Sequence, residues 1–135
     1  MADTDKPTFP LDGPHSPQSV LQAAELIAEG MRYLNRATAP GAGGLETPGD
    51  VYSLLGALGD VPGRLPQLLG QIAAWLQNQP AAGKIGVDRG SVIEAVAEAC
   101  MGLGDATTGA GQTRAGLDRA HQATAIMSGK EESDA

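Results

Sequence analysis

Val51, Leu58, Leu65 and Ile72 recur every seven residues through a segment that also contains Pro62 and Pro66. Seven residues are nearly two turns of an α-helix, so a row at that interval lies along one face of a helix. A loop between two separate helices would be free to lose this phase, whereas one helix that bends at its prolines keeps it. The spacing therefore predicts a single helix from Pro48, kinked near Pro62 and Pro66. A break near residues 60–64 is the rival reading, because each interior proline costs about 3 kcal/mol and a ladder hydrogen bond.

The same rhythm organises the rest of the chain. Val20, Ala24, Ile27, Met31 and Leu34 follow Ser16-Pro17, a cap and first-turn pair that starts a helix expected over 17–37. Thr47-Pro48-Gly49-Asp50 repeats that start signal, with Asp50 placed to favour the helix N-terminus. Ser91-Val92-Ile93-Glu94 matches a capping box. Val96, Leu103, Ala110, Leu117 and Thr124 then continue at sevens, with Ile93, Cys100 and Met127 beside them, predicting a third helix over 91–128. APGAGG at 39–44 and NQPAAGKIGVDRG at 78–90 read as connections. A third helix of roughly 55 Å outruns a second of about 45 Å and a first of about 30 Å. Either it breaks within GDATTGAGQ at 104–112, or its excess length pairs with another subunit.

The fold class is thus all-α, a small bundle of three long helices with flexible ends. The chain is short enough for one domain, here a helical domain over 16–128 between a disordered tail at 1–15 and an acidic tail at 129–135. With only one Trp, two Tyr and one Phe, a core must come from aliphatic side chains, which suits packed helices better than a sheet sandwich.

The glycines fall into register as well. Gly49, Gly56, Gly63 and Gly70 stand seven apart in the second helix; Ala95, Gly102, Gly109, Gly116 and Ala123 do so in the third, and Ala23, Gly30 and Ala37 in the first. Each Gly costs a helix up to about 1 kcal/mol relative to Ala. Close approach of a neighbouring helix is the compensation such stripes suggest; chance spacing in a chain with 19 glycines is the alternative. The interface candidates are Gly56, Gly63, Gly70, Gly102, Gly109 and Gly116, with Tyr52 and Trp75. Trp75 serves either as a core anchor or, if exposed in a dimer groove, as an interface hot spot.

Chemistry-bearing motifs are few. His15 and His121 are the only histidines and Cys100 the only cysteine, so no metal-ligand spacing or disulfide arises. Cys100 reads as a small core residue. No nucleophile elbow or phosphate-binding loop occurs, and the pairs Glu25/Glu29 and Glu94/Glu98 read as solvated faces. No catalytic residue, cofactor or metal ligand is expected, and an enzyme is the least favoured class. The net charge of −7, with three acids and one lysine in each terminal stretch, argues against a phosphate backbone or an anionic membrane as partner. No run reaches 18 apolar residues and the start lacks a signal pattern, so a cytoplasmic protein is expected.

The stretch TPGDVYSLLGALGDVPGRLPQLLGQIAAWLQ, with LDRAHQATA further on, resembles a group of small helical actinomycete proteins, some encoded near conjugative or integrative element genes. That resemblance spans residues 18–126 and implies a cytoplasmic accessory factor of DNA transfer or element maintenance. The helical-hairpin substrates of type VII secretion share the size and acidity, but their W-x-G turn and Y-x-x-x-D/E tail are absent: Trp75 is followed by Leu76-Gln77, and Ala37 and Gly56 stand four residues beyond Tyr33 and Tyr52. The expected function is a non-enzymatic interaction protein, a homodimer joined through its Gly/Ala stripes with a further protein partner. The alternatives are a secreted helical effector or adaptor and a small-molecule or DNA-binding regulator. The last requires Arg32, Arg36, Arg64, Arg114 and Arg119 to share a surface.

Overall fold

The computed structural model describes residues 8–83 and 85–129, and it is all-α. Its helices are α1 (Pro17–Ala37), α2 (Pro48–Ala82) and α3 (Val92–Ala125), with no strand among the described residues. Of the expected tails at 1–15 and 129–135, residues 1–7 and 130–135 lie outside those residues. The chain divides into two compact units, Met1–Glu46 and Thr47–Ala135.

In the first unit, Ser16 caps α1 in a reciprocal box with Ser19: the Ser19 N–H donates to Ser16 Oγ at 3.0 Å, and the Ser16 N–H to Ser19 Oγ at 3.1 Å. Residues 8–15, expected as part of a tail, form a turn closed by the Gly13 N–H on the Pro10 carbonyl. Phe9, Leu11 and Pro14 gather there around Val20 and Ala23. After Ala37 the chain doubles back and the Gly44 N–H donates to the Ala37 carbonyl. A side chain at Gly44 would collide with that carbonyl oxygen, so this position requires glycine. None of the residues of α1 is buried.

In the second unit, α2 and α3 form an antiparallel hairpin. Thr47 caps α2 in a second reciprocal box, accepting from the Asp50 N–H while Asp50 Oδ2 accepts from the Thr47 N–H at 2.9 Å. At Ser91 the expected capping box is only half made: its side chain accepts from the Glu94 N–H at 3.0 Å, and no return bond from Glu94 accompanies it. Gly83 ends α2 in the left-handed conformation (φ 66°), which glycine adopts without steric cost.

Both questions of continuity are answered. α2 is one helix through Pro62, Pro66 and Pro80, and α3 runs unbroken through 104–112. Pro62 is buried and Pro66 and Pro80 half-buried, so packing against α3 offsets part of what the lost ladder bonds cost. The expected length mismatch is corrected. α2 continues to Ala82 and α3 stops at Ala125, giving 35 and 34 residues, each about 50 Å. No overhang of α3 is left to require a second subunit.

The seam of the hairpin is made by Val51, Leu55, Leu58, Pro62, Leu65, Leu69 and Leu76 of α2 against Val96, Cys100, Leu103, Thr107, Ala110, Leu117 and His121 of α3, all buried or half-buried. Two helices cannot enclose a core between them. Ala110, 5% exposed, and Pro62 are the buried apolar side chains of the seam among the described residues, and no large side chain there is fully buried.

Candidate interaction surfaces

The register of the hairpin fixes two flanks. Measured to the point where a Cβ would sit, Gly56 meets His121 Nε2 at 3.1 Å and Gly59 meets Asp118 Oδ1 at 3.9 Å, while the Arg114 guanidinium occupies that point at Gly63. Gly49 and Gly129 sit at the open end, where Pro48 approaches Gly129. Each step forward on α2 is matched by an equal step back on α3, so these side-chain contacts set the levels of the other pairs to within about one turn.

On the first flank, the glycine line of α2 forms a trough for polar side chains of α3. The imidazole of His121 stacks on Tyr52 with centroids 4.0 Å apart and planes 15° from parallel. Tyr52 and Gly56 are one turn apart on α2, so His121 rests on the phenol and against the bare backbone. Arg114 Nε donates to Asp118 Oδ1 at 3.3 Å, an i,i+4 pair with both partners about half exposed. The glycines here make room for side chains; no helix backbone approaches Gly56 or Gly63. Arg114, Asp118 and His121 stand at i, i+4 and i+7, a spacing that puts them on one face of α3. The sequence contained that signal, but its significance depends on what lies opposite.

On the second flank, α2 presents Val61, Leu68, Ile72 and Trp75, exposed by 47, 49, 39 and 58%. The seven-residue row places Ile72 on the inner face, but an α-helix drifts by about 20° per seven residues. By the third repeat Leu69 and Ala73 have taken the inner positions and Ile72 has turned outward. Trp75 has rotated with it, so the core-anchor expectation is corrected: Trp75 is a surface residue.

Beside that row, on the same side of the hairpin, α3 carries Ala99, Gly102, Ala106, Gly109, Thr113 and Gly116. No atom lies within 4 Å of a Cβ placed on Gly102, Gly109 or Gly116. Gly70, on the first flank, is likewise open. The glycine lines of α2 and α3 thus face opposite sides of the hairpin and do not meet each other.

In the first unit, Val20, Ile27 and Met31 line one face of α1, exposed by 64, 57 and 46%. Within the second unit the arginines separate: Arg114 is engaged with Asp118 over Gly63, and the helical positions of Arg64 and Arg119 place them on the outer sides of α2 and α3. Glu25, Glu29, Glu94 and Glu98 are exposed. Cys100 is half-buried with its Sγ 3.8 Å from the Ala73 carbonyl. No group of three or more His, Cys, Asp or Glu among the described residues could hold a metal ion, and no helix there is long and apolar enough to cross a membrane. Compared with known proteins, the chain matches no family model, no curated protein and no solved structure.

Proposed function

We propose that this chain is a non-enzymatic helical interaction protein whose working parts are helix faces, and that it self-associates. The observation that carries the reading is the row Val61, Leu68, Ile72 and Trp75, four large apolar side chains aligned on one flank of a hairpin that buries no large side chain fully. Single exposed hydrophobics are ordinary on a soluble protein; a continuous row beside a shelf of small residues marks an interaction surface. Trp75 is the residue type most enriched at interface hot spots. Service as an accessory factor of DNA transfer or element maintenance, in the cytoplasm, rests on the resemblance of residues 18–126 and is part of the same proposal.

Light scattering coupled to size exclusion on the full chain tests it. The expected result is a mass above 13.7 kDa that falls on dilution below micromolar concentration. A monomer at all concentrations up to tens of micromolar overturns self-association.

A further inference from the structure

We infer that the occupant of the second flank is the same flank of a second copy, in a dimer whose two-fold axis runs parallel to the helices. This rests on the self-association proposed above and specifies its face and symmetry. The flank is self-complementary, with a ridge on α2 and a shelf on α3 side by side. From the hairpin register, Trp75 stands within about one turn of Gly102, Leu68 of Gly109, and Val61 of Gly116. A two-fold axis along the helix direction leaves heights unchanged and lays the partner's α2 over α3. Val61, Leu68 and Trp75 of one copy then come down along the glycine line of the other near Gly116, Gly109 and Gly102, and Ile72 comes down between Gly102 and Gly109, near Asp105. A two-fold axis across the helices would instead set ridge on ridge and shelf on shelf, leaving clashes along one line and a void along the other. The product is a four-helix bundle in which every adjacent pair is antiparallel, the arrangement favoured by the helix dipoles.

The area is sufficient. Leu54, half-buried, stands seven residues before Val61 and continues the row, as Ala123 continues the glycine line beyond Gly116; from Leu54 to Trp75 the face is about 32 Å long, and two adjoining helices make it about 20 Å wide. That is roughly 640 Å2 per copy and about 1,300 Å2 for the pair, above the approximately 1,000 Å2 that a specific interface requires. The ridge carries no charge, and the charges nearest the shelf, Glu98 and Asp105, are exposed along its outer edge, one turn from Gly102 and Gly109, where they keep access to water.

The test uses the full chain, with dimer dissociation followed by light scattering and by the emission of Trp75, the single tryptophan. Wild type is expected at twice 13.7 kDa, with emission shifting to the red as dilution uncovers Trp75. Gly109→Leu fills the site of the partner's Leu68 and is expected to weaken the dimer at least about 100-fold with helicity by circular dichroism unchanged or higher. Gly70→Leu, on the opposite flank, is expected to leave the dissociation constant within about threefold. Trp75→Ala, truncating a side chain already exposed, weakens the dimer without unfolding the hairpin. A dimer indifferent to Gly109→Leu and Trp75→Ala overturns this face. If that dimer is instead lost in Gly70→Leu or in Ile27→Glu on α1, self-association stands and the contact lies on the first flank or on α1. A chain that is monomeric throughout overturns both proposals.

Discussion

Replacing Gly56, Gly63 and Gly70 by alanine, one at a time, separates what each glycine contributes, because the three differ in what a methyl group would meet. Alanine is favoured over glycine in a helix interior by about 0.8–1 kcal/mol, so that gain is common to all three. At Gly70 nothing lies within 4 Å, and the full gain should appear as a rise in Tm of about 4–8 °C for a unit of this size. At Gly63 the methyl displaces the Arg114 guanidinium, the free end of a long side chain. The ion pair with Asp118 that this disturbs is half exposed, with Arg on the N-terminal side, the less favourable order, and is worth at most about 0.5 kcal/mol. The net expectation is about 0.5 kcal/mol of stabilisation. At Gly56 the obstacle is His121 Nε2 at 3.1 Å, in a ring already lying on Tyr52. The ring cannot keep that stack and give way to the methyl, and a lost aromatic contact of about 0.5–1.5 kcal/mol cancels the gain. Thermal and urea denaturation followed by circular dichroism should rank the variants Gly70→Ala, Gly63→Ala, Gly56→Ala from most to least stable. Equal stabilisation at Gly56 and Gly70 would refute the trough as described, and a loss at Gly70 would show that its face is covered.

Thr47→Ala removes the acceptor of a reciprocal capping box and should cost about 1 kcal/mol in urea denaturation. Ser91→Ala, where the return bond is missing, should cost no more than that. Ala110→Leu forces three extra carbons into the most buried hydrophobic position of the seam and should destabilise by about 1–3 kcal/mol. A double-mutant cycle of Tyr52→Ala and His121→Ala should return a coupling of about 0.5–1.5 kcal/mol; additivity within about 0.3 kcal/mol would mean that the stack contributes nothing.

Local signals carried most of the fold. Proline and cap pairs at Ser16-Pro17 and Thr47-Pro48 located two helix starts, and Val96, Leu103, Ala110, Leu117 and Thr124 all turn toward the seam as their spacing predicts. The end of α2 was hidden because Pro80 reads as a stop. The helix nevertheless continues to Ala82, past a proline that is half-buried against α3 and a Gln79 side chain that donates to the Trp75 carbonyl at 3.0 Å. Ser91 and Glu94 had the spacing of a capping box, but composition cannot say whether the carboxylate turns back toward the cap.

What composition could least supply is the direction in which a stripe faces. Gly56, Gly63 and Gly70 have the same seven-residue interval as Gly102, Gly109 and Gly116, which suggested two backbones approaching along a shared line. Interval determines that residues share a face; only the register of the hairpin determines which side that face takes. Once Gly56 is level with His121 and Gly63 with Arg114, the α2 stripe belongs to the flank where α3 supplies polar side chains. The α3 stripe lies on the other flank, beside Val61, Leu68 and Trp75. Two identical periodicities therefore support different physical explanations for tolerating glycine. In α2 at Gly56 and Gly63 the space is filled from within the chain by His121 and Arg114. In α3 it remains open, beside a row of large side chains that also lack cover. Equal helix lengths sharpen the contrast, since no unpaired stretch of α3 is left to account for an association: the case for a second copy rests on the sides of the helices and owes nothing to their ends.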